Sequence, residues 1–470
     1  MSKKIYFYFG LLFFIILFYF HTRGIYYSDD GYILNSALRV AHGQIPYRNF
    51  HFAYTPLSMY VDRLSFLFFG TSILASRIVA LVVSLITCFV LFKISKHISK
   101  TSIVQLFPLF LFLAWGPSHS NFIFPTTLAI FTGLITILFL FEKKYFWSGF
   151  FTVITILSKQ NFGIGLILVD ICYLIFSKEK NKISSFTSIL KGIIISTGLY
   201  ILYLLTTNSF IPFIQDFKTY TLDRIVTGGT LSTSFFYGFS TVELGKTFFY
   251  LLPFLLSLYS IYLLWKKRKE LIFLPLFVLI YYILGIRPTT DYIHLTPLLS
   301  LIGIPLVLIL ENITYRTFNF FLVPFIFLLV GVGFYTALFK NYYRWNPPLW
   351  QNTVFLDSPR EQIFAFDKVP QGLVEYIQSH TKTNEPIFVN YYAPMIYFVS
   401  ARVNPTKFDL VEPSAFYKPY RGEIISSLEK NNVKLVITST NYRDSYISDY
   451  IQKNYNPIEE GYGVKFWEKR

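Results

Sequence analysis

Charge is scarce in this 470-residue chain: Asp, Glu, Lys and Arg together make up 14% of it, where a soluble domain carries roughly 25%. Cysteine is scarcer still. The two present, Cys88 and Cys172, both lie in apolar stretches, which excludes a disulfide framework and a cysteine metal site. What fills the chain instead is apolar, with 53% hydrophobic and 20% aromatic residues. That composition excludes a soluble enzyme, and it excludes intrinsic disorder, because so much apolar surface does not stay solvated.

Acids are rarest in the first two-thirds. Residues 340–470 hold 16 Lys+Arg against 14 Asp+Glu, which leaves 26 against 12 for residues 1–339 and places nearly all of the net charge of +16 there. This excess sits between apolar segments. Basic clusters beside membrane spans bind anionic headgroups, so lipid accounts for the charge and no nucleic-acid partner is required.

A bilayer span needs about 20 apolar residues, within a range of roughly 17–25. Nine apolar segments are clear candidates, near 5–20, 76–95, 103–115, 122–141, 188–207, 246–265, 271–286, 292–310 and 318–339. Two more, near 145–157 and 163–176, are short, and read as a tilted pair or a re-entrant hairpin. The total expected is about eleven transmembrane helices. With Lys3 and Lys4 on the cytoplasmic side, alternate loops are basic, as at Lys93, Lys96 and Lys100, at Lys143 and Lys144, and at Lys266 to Lys269. The opposite short loops are nearly bare of lysine and arginine, the bias that sets orientation. The N-terminal segment has a basic start and an apolar run with no small-residue cleavage site after it, which reads as a retained signal anchor. Eleven spans then put the N-terminus inside and the C-terminus outside.

The expected architecture is therefore a mainly α polytopic membrane domain over residues 1–339, including a long outer loop at 21–75 with juxtamembrane helices. A second outer loop covers 208–245. An aromatic and Pro-rich interfacial linker follows at 340–350, then an extracytoplasmic α/β domain at 351–470. In that last domain a helix near 371–381, a strand at Ile387-Phe388-Val389, a helix near 421–431 and a strand at Leu435-Val436-Ile437 alternate. It contains no Gly-rich phosphate loop, and the chain shows no internal repeat.

Asp29-Asp30 is the only adjacent acidic pair in the first 339 residues. It precedes Ile33, Leu34, Ala37, Leu38 and Ala41, whose spacing makes an amphipathic helix, so one reading is an N-cap. The other is chemical: neighbouring carboxylates raise one another's pKa, which suits a general base or the ligation of a divalent cation. Lys159-Gln160 lies between the two short segments, either as an interfacial lysine snorkelling to water or as a phosphate contact. Arg287, Asp291 and His294 share an outer turn; Arg287 either clasps a phosphate with His294 beside it or pairs with Asp291 at the surface. Arg48, His51 and Tyr54 are candidates for the same outward cleft. Asp170, inside an apolar segment, marks either a functional group or a helix–helix hydrogen bond.

The ordered set of features resembles the membrane glycosyltransferases of the GT-C superfamily, in particular the relatives of protein O-mannosyltransferases and of the aminoarabinose transferase acting on lipid A. The set consists of an acidic pair after the first span, His42-Gly43-Gln44-Ile45-Pro46-Tyr47, Tyr54-Thr55-Pro56-Leu57-Ser58-Met59-Tyr60, Phe69-Gly70 before the second span, and Asn404-Pro405-Thr406 after Ser400-Ala401-Arg402. The resemblance covers residues 1–100 best. It implies transfer of a sugar, with inversion, from a polyprenyl-phosphate donor to a hydroxyl on a cell-envelope glycan, lipid or protein, at the outer face of the cytoplasmic membrane. Within it Asp29 is the expected base, Asp30 its orienting partner or a cation ligand, and Lys159, Gln160, Arg287 and His294 the phosphate contacts. Ser118 and His119 stand where several relatives carry a further acid. The competing readings are an envelope-precursor flippase, a lipid-linked oligosaccharide polymerase or ligase, and a non-catalytic scaffold. A transporter places its ionisable groups midway along broken spans and shows repeated halves, whereas here the candidates gather at one predicted surface.

Overall fold

The computed structural model describes residues 3–470 except 27, 220–243, 286–291, 314–315, 340–353, 357, 366–368, 410–419 and 441–446. In chain order its first ten helices are α1 (Lys3–His21), α2 (Asp29–Ala41), α3 (Leu57–Phe69), α4 (Ile73–Ile98), α5 (Phe107–Trp115), α6 (Pro125–Phe141), α7 (Tyr145–Ser158), α8 (Gln160–Phe176), α9 (Lys182–Thr206) and α10 (Phe210–Phe217). Helices Leu244–Lys267, Phe273–Gly285, Tyr292–Leu299, Gly303–Asn312 and Arg316–Phe339 follow. Every segment expected to span the bilayer contains helix. Among the described residues, five helical stretches are long and apolar enough to cross a membrane: Lys4–His21, Ile73–Ile98, Lys182–Thr206, Leu295–Asn312 and Phe321–Phe339.

The chain divides into two compact units. One comprises Met1–His21, Ala53–Ser58 and Arg77–Pro348; the other comprises Thr22–Phe52, Met59–Ser76 and Leu349–Arg470. Most of the 21–75 loop thus belongs with the C-terminal residues, where the sequence boundaries had grouped it with 1–339. The physical reason lies in α2, which is buried from Asp29 to Arg39 and whose Asp29 and Arg39 make polar contacts with residues 392–409.

The first unit is a helical array around one apolar core. Pro125 opens α6 behind an extended Phe124, where a missing N–H costs nothing. The two short segments are separate helices packed side by side: Lys159, at φ −153° and ψ 109°, breaks the helical path between α7 and α8. Small residues allow close backbone approach of α7 and α9. A Cβ on Gly149 would overlap the Ile189 carbonyl, and one on Gly192 the Phe146 carbonyl, the geometry that helix packing in lipid favours. Asp170 on α8 accepts hydrogen bonds at 3.0 Å from Ser148 Oγ and Thr152 Oγ1 on α7, so of its two readings the helix–helix bond is the one observed.

The second unit carries α2, most of α3, and a mixed sheet. Its four strands, in the order β3 (Ile387–Asn390), β4 (Leu435–Ser439), β6 (Val464–Lys469), β5 (Tyr455–Gly461), follow a small hairpin of β1 (Val354–Leu356) and β2 (Ile363–Ala365). β3 and β4 are parallel, with Phe388 opposite Val436. All four residues of β3 are buried, as expected for a parallel strand covered on both faces. The crossover from β3 to β4 includes helices Met395–Ser400 and Arg421–Lys430. The expected helices and strands of this domain all appear. The antiparallel β5–β6 hairpin is an addition; it turns at Gly463, whose φ of +76° suits glycine, and its edge strand is bulged between Pro457 and Glu459, which discourages pairing with another chain.

Candidate active site

The amide of Tyr32 donates to the Ser28 carbonyl at 2.7 Å, so α2 starts with Asp29 and Asp30 in its first turn. Ser28 makes no side-chain capping bond. Both carboxylates are buried, at 8% and 1% exposure, and the positive end of the helix dipole stabilises negative charge there. Tyr392 Oη donates to Asp29 Oδ1 at 2.6 Å, within the range of a hydrogen bond to an ionised acceptor. Gly31 lies flat against helix Met395–Ser400, where a Cβ would overlap the backbone nitrogen and Cα of Met395. The glycine that follows the acidic pair is therefore a requirement of close approach.

The far end of α2 is pinned as well. Arg39, 6% exposed, donates through Nη2 to the carbonyls of Asn404 (3.0 Å) and Thr406 (2.5 Å), and its Nε pairs with Asp409 Oδ2 at 3.4 Å. Asn404 Nδ2 donates to Asp409 Oδ1 at 2.9 Å. Burial pushes the Asp409 carboxyl above the usual carboxylate range, opposed by Arg39 and then by Asn404. His51 joins the same turn: its amide donates to the Lys407 carbonyl at 2.8 Å, and its buried ring leans on Phe408 with centroids 5.8 Å apart. Arg48 instead is exposed.

In the first unit, Lys159 is buried, not extended to water. Its Nζ donates to Thr126 Oγ1 at 2.7 Å and stands 4.8 Å from the Phe162 ring centre. A lysine snorkelling to solvent does not describe this side chain; an ammonium held among α6, α7 and α8 does. Gln160 opens α8, and Tyr54 is half-buried in the same unit. Arg287 and Asp291 lie outside the described residues. His294 falls in helix Tyr292–Leu299, with its side chain outside the described set. Among the described residues no group of three or more His, Cys, Asp or Glu is arranged to hold a metal ion, so a divalent cation at Asp29 and Asp30 finds no third ligand of those types there.

Against solved structures, the whole chain superposes on the crystal structure of ArnT from Cupriavidus metallidurans bound to undecaprenyl phosphate, with a TM-score of 0.65, 12% identity, and 99% of this chain and 98% of that one covered. The fold is that of ArnT. A second similar structure is the cryo-EM structure of the arabinofuranosyltransferase AftD from Mycobacteria, with a TM-score of 0.54 and 10% identity, in which this chain spans 40% of the other's length. No protein-family model and no curated protein matches the sequence.

Within this ArnT-like fold, sequence reasoning passed over a buried polar group in the first unit. Arg77 on α4 is 1% exposed, with its guanidinium 5.6 Å from the Phe122 ring centre. His21 Nδ1 lies 2.7 Å from the Asn121 carbonyl, which only an N–H satisfies, so its Nε2 accepts from Ser84 Oγ at 3.0 Å. His21, Ser84, Thr87 and Ser120 line a cavity of about 30 Å³, room for an internal water. The signal was present in the sequence: Arg77 is a charge inside a segment expected to span the bilayer, where ionisable groups are expensive. His119, by contrast, stacks on Trp115 with centroids 5.5 Å apart, and its Nε2 is 3.3 Å from the Gly333 carbonyl, a packing role.

Proposed function

We propose that the protein is a multi-pass membrane glycosyltransferase that moves a sugar from a polyprenyl-phosphate-linked donor to a hydroxyl of a cell-envelope acceptor. The observation that carries this reading is the full-length likeness to ArnT, which was solved with undecaprenyl phosphate bound, in a chain whose acidic pair is buried at a helix start. In the proposed reaction Asp29 accepts the proton of the acceptor hydroxyl as its oxygen attacks the anomeric carbon. The bond from that carbon to the donor phosphate oxygen breaks with inversion, and polyprenyl phosphate leaves with the bonding electrons. Asp30 orients Asp29 or holds a cation. Lys159, Gln160, Arg287 and His294 supply charge and hydrogen bonds to the departing phosphate, which develops charge as the bond breaks.

The proposed setting is the cytoplasmic membrane, with about eleven spans, the N-terminus inside, residues 351–470 outside and the reaction at the outer face. Purified protein supplied with radiolabelled polyprenyl-phosphate sugars and a membrane extract as acceptor tests the reading. Transfer is expected with the parent chain and collapse in Asp29→Asn or Asp30→Asn; equal turnover in both variants removes the acidic pair from the mechanism.

A further inference from the structure

The segment between β3 and helix Met395–Ser400 carries a tyrosine that no reading of the sequence singled out. We propose that Tyr392 is a positioning residue for the reaction, fixing the rotation of the Asp29 carboxylate through the hydrogen bond from its phenol; this rests on the reading of Asp29 as the base. Three features support it. The bond is short, 2.6 Å from Tyr392 Oη to Asp29 Oδ1. The backbone that presents the phenol is itself held: the Ala393 amide donates to the Tyr391 carbonyl at 2.8 Å, and Tyr397 Oη accepts from the Val389 amide at 2.7 Å, tying the end of β3 to the following helix. The carboxylate's helix is locked against that same helix, since Gly31 and Met395 meet backbone to backbone. The acceptor is thus carried on α2, whose far end is pinned through Arg39, and the donor on a short connection hydrogen-bonded between β3 and the following helix.

A base must meet its proton within a narrow range of distance and angle, and a misplacement of about 1 Å costs on the order of 100-fold in rate. A phenol hydrogen-bonded to one carboxylate oxygen removes the torsional freedom of an aspartate, and phenylalanine keeps the ring while deleting that bond. By this account the C-terminal residues contribute a group to the site, through the bond from Tyr392 to Asp29.

The test is Tyr392→Phe in the purified full-length protein, with radiolabelled polyprenyl-phosphate sugar as the donor probe, measured beside Asp29→Asn, Asp29→Glu and the double variant of Tyr392→Phe with Asp29→Glu. The expected result is a fall in kcat of roughly 10- to 100-fold, with donor KM and the amount of donor bound per mole of protein within about twofold of the parent. In the Asp29→Glu background, where the longer side chain has already lost the geometry, Tyr392→Phe is expected to cost little further, the non-additivity of two groups acting as one. With kcat taken per mole of donor-binding protein, so that a misfolded fraction does not count, two results overturn the proposal: parental kcat in Tyr392→Phe while Asp29→Asn is inactive, which leaves Asp29 as base and removes Tyr392; or equal penalties in both backgrounds. Full activity of Asp29→Asn defeats the base assignment first, and the role of Tyr392 with it.

Discussion

Arg39 and Asp409, separated by most of the chain, form an ion pair 3.4 Å long, with side chains 7% and 0% exposed. Taking such charges from water costs more than surface pairing returns, so a buried pair of this kind specifies an arrangement more surely than it stabilises one. What this pair specifies is the docking of α2 on the 404–409 turn, and with it the placement of Asp29 ten residues earlier.

A stability measurement against pH follows. Burial raises the Asp409 pKa and Arg39 lowers it, so the folded protein holds the Asp409 proton more tightly than the unfolded chain does. Stability from this group is present at low pH and is lost as pH rises from the ordinary carboxylate value through the raised one. The thermal midpoint of Asp409→Asn in detergent should therefore lack that fall. Arg39→Met removes the opposing cation, pushing the loss to higher pH, and should destabilise the fold by about 3–5 kcal/mol at neutral pH by leaving the acid without its counter-charge. A parent and an Asp409→Asn curve of the same shape would contradict the assignment.

Gly31→Ala adds one methyl group where Met395 backbone already stands. Overpacking of this kind costs typically about 1–3 kcal/mol, and here it also displaces the first turn that carries both acids. Unfolding in detergent should show the lower midpoint, and transfer should fall by more than the loss of folded protein explains. An Ala variant as stable and active as the parent would show that α2 tolerates a shift away from the helix beginning at Met395.

Lys159→Gln keeps length and a donor but deletes the charge. If the ammonium contacts the donor phosphate, a charged hydrogen bond worth about 1.5–3 kcal/mol is lost, and donor KM rises by roughly 10- to 100-fold. Thr126→Val, which removes the hydroxyl that Nζ donates to, should alter KM far less, because it leaves the charge in place. A donor titration of both variants separates the roles: similar, small changes in each would mark Lys159 as a structural group of the α6–α8 cluster.

The orientation proposed from the lysine pattern is checked by Thr290→Cys in a chain whose Cys88 and Cys172 are buried. An impermeant thiol reagent added to intact cells should label residue 290. Labelling confined to lysed cells would invert the topology.

Much of the fold was legible because it depends on local pattern. Apolar runs long enough to cross a bilayer declare themselves within about 20 residues, and each of the eleven expected segments is helical. The alternation of Ile387–Val389 and Leu435–Ile437 with two amphipathic helices was readable in the same way, and the strands pair in parallel. The β5–β6 hairpin was less legible: the exposed edge strand Tyr455–Gly461 carries Glu459, Glu460 and Pro457, with no apolar run to announce it.

The candidate site divides along the same line. Composition and spacing by themselves determined a membrane chain, the position of Asp29-Asp30 at the head of an amphipathic helix, and the break at Lys159 between two short helices. Only tertiary structure decided that the helix bearing the acids is packed with residues 392–409, that Tyr392 donates to Asp29, that Gly31 is glycine for the sake of Met395, and that Arg39 is buried against Asp409. The physical reason is range: hydrophobic periodicity is written into consecutive residues, whereas a buried polar group is satisfied by whichever partner the folded chain brings to it, and here those partners are contributed by segments hundreds of residues away.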